Sequence, residues 1–203
     1  MANPGAPRKT ETAAEPRRVL VLFAHPALEK SRVHRRLADA VRDVEGVTFH
    51  DLYEAYPDFD IDVGREQELL AAHDPIVLQH PFFWYSTPAL VKEWEDLVLE
   101  HGWAYGSEGT ALRGKRFLSA VTTGGGREAY CPEGYNHYTV RQFLAPIERT
   151  AVLCGMEYLA PFVVYGTHRL GEDEGHHARD AGHDGPLRIA RSLAVVLRSA
   201  GRL

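Results

Sequence analysis

Lys115-Arg116-Phe117-Leu118-Ser119-Ala120-Val121-Thr122-Thr123-Gly124-Gly125-Gly126 is the stretch that decides the fold. A strand-like apolar run passes almost without spacer into two hydroxyls and three glycines. Glycine at the end of a buried strand weakens it and packs nothing. What it offers is backbone N–H that a flat or anionic ligand can approach closely. The loop reads as the floor of a cofactor site, although three glycines alone are more often a plain turn.

Working outward, Val19-Leu20-Val21-Leu22-Phe23-Ala24 is a continuous apolar run, as expected of a strand covered on both faces. Val47–Leu52, Ile76–His80 and Tyr158–Val164 read as further strands. Between them lie helical patterns. Val33, Leu37, Ala40 and Val41 follow a capping Ser31. A second helix spans about 62–72. A third runs from a Ser86 or Thr87 cap to Val98, with Pro88 in its first turn. A fourth covers about 138–154 with a bend at Pro146, and a last amphipathic helix covers 186–198. Residues 53–61 read as irregular. Alternation of this kind predicts an α/β fold, a doubly wound five-stranded parallel sheet with helices on both faces. Residues 18–203 form its one domain, behind a disordered leader over 1–17.

Ligands of such sheets bind at the carboxyl ends of the strands. Three unusual loops fall there. His25 and Ser31 follow the first strand and can offer a ring and a helix N-terminus to a phosphate; a plain cap is the alternative. Phe82-Phe83-Trp84-Tyr85 follow the third strand and make a stiff apolar wall for a planar ring. Thr122, Thr123, Gly124 and Gly125 follow the fourth. Of the charged residues after Ser31, Arg32 and His34 lie nearest this site, with Arg35 and Arg36 on the outer helix face. The P-loop and Rossmann glycine patterns are both absent, which leaves flavodoxin-like flavin binding as the natural candidate.

The totals narrow the class. A net charge of −5 over 203 residues argues against a nucleic-acid binder. No apolar run approaches the ~20 residues of a membrane span. Cys131 and Cys154 give no disulfide framework, so a reducing cytoplasm is the simplest compartment. His176, His177, Asp180, His183 and Asp184 do not match a metal-ligand spacing, and the segment 171–185 reads as a solvated loop. No metal site is expected.

Taken together, Phe23-Ala24-His25-Pro26, Tyr56-Pro57-Asp58-Phe59, Gln79-His80-Pro81 with Trp84-Tyr85-Ser86, His101-Gly102-Trp103-Ala104-Tyr105-Gly106 and Val121–Gly126 make the chain recognisable over residues 18–165. It resembles the NAD(P)H:quinone oxidoreductase family of flavodoxin-like flavoproteins, and within it the ancillary proteins of glutathione-regulated potassium-efflux systems. The resemblance implies a flavin held by His25, Ser31, Arg32, Val33, His34, Phe82, Phe83, Trp84, Tyr85, Thr122, Thr123, Gly124 and Gly125. FMN suits the shorter chain better than FAD. It also implies NAD(P)H as donor, a quinone-like acceptor, ping-pong transfer, and a homodimer with active sites at its interface. Tyr130 matches a tyrosine that lies near the flavin, and His137, one residue later than the family spacing, is the best match for a histidine there. These two are the catalytic candidates. Peripheral contact with a potassium-efflux transporter at the inner face of the cell membrane is the alternative role. Phe83 stands where the family often has glutamine.

Overall fold

The computed structural model describes residues 18–168 and 192–195. The expected leader, the 171–185 loop and most of the expected last helix lie outside the described residues. Residues 192–195 of that helix are described and are helical.

Strands β1 (Val19–Phe23), β3 (Ile76–Pro81) and β4 (Arg116–Thr122) are buried along their whole length. Helices cover both faces, which is why these runs need no apolar–polar alternation. Strand β2 (Val47–Asp51) forms one edge and is only half-buried. Every pairing between the described strands is parallel, and the order is β2-β1-β3-β4-β5, with β5 at Glu157–Tyr158. The expected fifth strand is interrupted. Segments β5 (Glu157–Tyr158) and β6 (Phe162–Val164) both pair with β4, at Arg116–Phe117 and Ala120–Thr122. Pro161 stands between them and has no N–H to donate to a ladder.

Helices follow their caps. The Ser31 hydroxyl accepts from His34 N at 3.2 Å and starts α1 (Arg32–Arg42). Asp51 accepts from Tyr53 N and Glu54 N, which turns part of the expected irregular segment into a short helix, α2 (Leu52–Ala55). Asp62 caps α3 (Val63–Ala72). Helix α4 (Ala89–Val98) starts at Pro88 with no side-chain cap, so neither Ser86 nor Thr87 takes that role. The expected helix over 138–154 is two helices, α5 (Val140–Phe143) and α6 (Ala145–Leu153). Pro146 lacks the N–H that would continue α5 and fits the first turn of a new helix.

One core cluster joins Leu20, Leu22, Ile76 and Leu78 to Leu70, Trp94 and Ile147, the side of α3, α4 and α6. The other joins Val19, Val21, Val77, Leu118 and Ala120 to Leu37, Val41 and Leu193, the α1 side. The first encloses a carboxylate. Glu66 is 0% exposed and accepts from Tyr56 Oη at 2.6 Å, His50 Nε2 at 2.7 Å and Trp94 Nε1 at 2.9 Å. Burial pushes its pKa up, but these donors win and hold it below the ordinary glutamate value.

Removing one donor strands part of a buried acceptor, which costs about 1–3 kcal/mol. Trp94→Phe should lower stability by that amount in chemical denaturation at neutral pH. A depressed carboxyl pKa stabilises above its unfolded value, about 4.3, and that contribution is lost as pH falls through the folded value. The wild type should therefore lose stability on acidification more steeply than Glu66→Gln.

Candidate functional site

The loops at the carboxyl edge are stitched to the sheet by backbone hydrogen bonds. Ala24 N donates to Gln79 O at 3.0 Å, Phe82 N to Thr122 O at 2.8 Å, Thr123 N to Val164 O at 2.8 Å and Gly166 N to Gly125 O at 2.9 Å. Two clefts open between these loops.

The first, about 430 Å³, lies over the start of α1 and is lined by His25, Ser31, Arg32, Val33, His34 and Thr122, with Lys30, Phe83 and His168 at its sides. Ser31 spends its oxygen on the helix cap, and its hydroxyl hydrogen remains to donate. His25 Nδ1 accepts from Ala27 N at 3.1 Å, which leaves the hydrogen of the neutral ring on Nε2. Burial lowers the His25 pKa and favours that neutral form. His34 packs against His25 with ring centroids 4.8 Å apart, and its Nε2 lies 2.7 Å from Thr122 Oγ1. Burial, reinforced by the neighbouring His25 and His80, pushes the His34 pKa down to about 3. The cleft is therefore lined by neutral hydrogen-bonding groups, with positive potential from the helix N-terminus, Lys30 and Arg32.

The second cleft, about 420 Å³, is lined by Phe82, Trp84, Tyr85, Gly124, Gly125 and Tyr130, with Tyr135 and Asn136 at its mouth. Trp84 and Tyr85 take left-handed backbone with φ of 49° and 63°. Two bulky residues in succession there are strained. The turn is held by Ser86 N donating to Phe83 O at 2.9 Å and by the Tyr85 ring stacked on Phe143 at 5.1 Å. Trp84 is thereby left 93% exposed. Beside the slot, a Cβ on Gly125 would meet the neighbouring Tyr130 ring at ordinary contact distance, 3.4 Å, and one on Gly124 would run into the His168 imidazole. The glycines keep this wall flat. Burial, then the neighbouring Tyr85, raises the Tyr130 pKa, so its phenol keeps its proton.

Two anticipated residues sit differently from the rest. Thr123 is buried and its hydroxyl donates to Gly125 O at 2.8 Å, so it shapes the loop from within. His137 is exposed with φ 58° and lines neither cleft. Asn136, one position earlier, lines the slot and accepts from Tyr85 Oη at 3.2 Å. That is the position the family spacing pointed to. Lys30, Tyr135 and His168 also reach the clefts without a motif to announce them. A separate groove of about 460 Å³ between α4 and α6 holds Glu95, whose carboxyl burial pushes up to about 7. Among the described residues no three His, Cys, Asp or Glu side chains are grouped to hold a metal.

Known proteins share this architecture. Residues 17–184 match a family model described as a flavodoxin-like fold. The ancillary protein KefG of a glutathione-regulated potassium-efflux system from Pectobacterium carotovorum is 46% identical over 160 residues, 79% of this chain and 87% of its own. The crystal structure of general stress protein 14 from Treponema denticola, in complex with FMN, superposes with a TM-score of 0.80 at 35% identity, covering 90% of this chain and 99% of that one. An NADPH-quinone reductase from P. pentosaceus superposes with a TM-score of 0.76 at 28% identity, covering 89% and 97%. With the strand order, the two clefts and these likenesses in agreement, the chain belongs to the flavodoxin-like family Flavodoxin_2.

Proposed function

We propose that the protein is an FMN-dependent NAD(P)H:quinone oxidoreductase that passes two electrons by a ping-pong route. The observation that carries this reading is the pairing of the clefts across the β1/β3 reversal. A helix N-terminus with hydroxyl and imidazole donors lies on one side, and a glycine-walled aromatic slot on the other. A phosphate and a planar ring joined by a short chain need that arrangement. The two clefts, about 420 and 430 Å³, suit a phosphate and a ring joined by a short chain, and FAD would also need space for its adenosine.

When bound, the flavin would supply the hydride chemistry, accepting from the nicotinamide and giving to the acceptor. The residues of this chain hold and tune it. Ser31, His25 and the first N–H groups of α1 would bind the phosphate, with Arg32 and Val33 beside them. Backbone of Gly124 and Gly125 would line one side of the ring and Phe82–Tyr85 the other. Tyr130 carries a protonated phenol beside the slot and can hold or give a proton at Oη to an acceptor oxygen. The exposed Trp84 and Tyr135, at 93% and 87%, offer apolar surface to the nicotinamide, the quinone or a second copy in a homodimer. His137, exposed two residues after Tyr135 on the same outer loop, would act across such an interface.

A second role has its own support in the likeness to KefG. The protein would then be a cytoplasmic regulatory subunit docked peripherally on a potassium-efflux transporter. Among the described residues no helix is long and apolar enough to cross a membrane. Co-purification with such a transporter, and impaired efflux on deletion of this protein, are the expected results. Unaltered efflux in the deletion strain would remove the reading.

The enzyme reading predicts a flavin spectrum in the purified or FMN-reconstituted protein, bleached by NAD(P)H and restored by a quinone. Protein that takes up no flavin would end it. Gly125→Val adds a branched side chain to the wall beside Tyr130, and its methyl groups should take up space meant for the ring. Overpacking of about 1–3 kcal/mol corresponds to roughly 5–150-fold weaker FMN binding, with a melting temperature close to that of the apo wild type. Unchanged affinity by fluorescence titration would mean the ring lies elsewhere.

A further inference from the structure

On the α1 side of the sheet, His34 Nδ1 and both amide atoms of Gln79 are buried without a hydrogen-bond partner. The two side chains are 2% and 1% exposed. Unpaired buried polar atoms are costly and rare, so each calls for a partner.

Register places the two together. The His34 ring lies 6.0 Å from that of Phe23 on β1, and its Nε2 reaches Thr122 on β4. Strand β3 runs between β1 and β4. Gln79 pairs with Phe23 on one side and Ala120 on the other. It shares its face of the sheet with Val77, which packs in the α1-side core, the same side on which His34 meets Phe23 and Thr122.

We propose that Gln79 supplies the hydrogen that His34 Nδ1 lacks, and that the pair thereby sets the direction of the Thr122 hydroxyl. Contact is made by rotation of the Gln79 amide or through one internal water that passes the same donor direction. An accepting Nδ1 carries no proton, so the neutral ring holds its hydrogen on Nε2 and donates it to Thr122 Oγ1. The Thr122 hydrogen is then free to point into the first cleft, beside the donors of Ser31, His25 and α1. The opposite tautomer would turn an oxygen lone pair toward a phosphate. Because burial keeps His34 neutral, the choice of tautomer persists at all working pH values. Gln79 is thus a positioning residue, and His34 its intermediary. Only the last step, donation to a flavin phosphate, rests on the proposed flavin function.

Nitrogen-15 NMR of labelled apo protein reads the tautomer directly. His34 protonated on Nε2 is expected; protonation on Nδ1 overturns the proposal without any variant. Gln79→Met keeps length and removes the donor. It should shift His34 toward Nδ1–H and weaken FMN binding about tenfold, the loss of one hydrogen bond, while riboflavin, which has no phosphate, binds as before. Thr122→Val should cost FMN a similar factor, and the double variant little more. An unchanged tautomer in Gln79→Met, or equal losses for FMN and riboflavin, would overturn the relay. A wild type that binds no flavin would defeat the flavin function instead, and the tautomer measurement would still decide the relay.

Discussion

Everything at this site depends on the point where the winding of the sheet reverses. From β1 the chain crosses by α1 to β2 on one side, and from β3 it crosses by α4 to β4 on the other. The loops leaving β1 and β3 must therefore part in opposite directions. The carboxyl ends of two adjacent, fully buried strands are left with no crossover above them. That gap is a consequence of connectivity, before any side chain is chosen. What the side chains add is division of labour. Polar groups and a helix N-terminus gather on the β1 side, aromatic rings and bare backbone on the β3–β4 side.

Rigidity beneath the gap comes from burial of both faces and from polar contacts inside it. The Glu66 carboxylate ties the end of β2 to α2's flank, α3 and α4 through His50, Tyr56 and Trp94. Such a contact adds little net energy over an apolar core, and its three donors bring β2, the end of α2 and α4 to one shared acceptor on α3. The loop over Trp84 and Tyr85 can then hold a strained backbone, because its two ends are fixed by β3 and α4.

The architecture was legible because β1, β3 and β4 read as strands without ambiguity and their loops contain residues that make poor core. Other features were decided by contacts that a linear reading does not contain. Four residues of helix after Asp51 depend on how its carboxylate turns back on Tyr53 and Glu54. The division of 138–154 depends on Pro146 finding a first turn rather than a kink. At the site, His25, Ser31 and Gly125 stood out by position at strand ends. The family spacing fell on Asn136, but an amide there instead of a histidine carried no recognisable role until Tyr85 is seen to bond it. Glu66 was hidden for the opposite reason: in a helix of charged residues a buried acid looks like an exposed one.

The break between β5 and β6 has a bearing on how the molecule behaves in company. A parallel sheet with a long open edge is a template for further strands, and chains that expose one tend to polymerise. Here that edge offers two residues, then an interruption containing Pro161, then three more. An incoming strand finds no continuous row of donors and acceptors to pair with. Among the described residues, growth by sheet extension is interrupted on that side, and the continuous edge is the one that β2 presents.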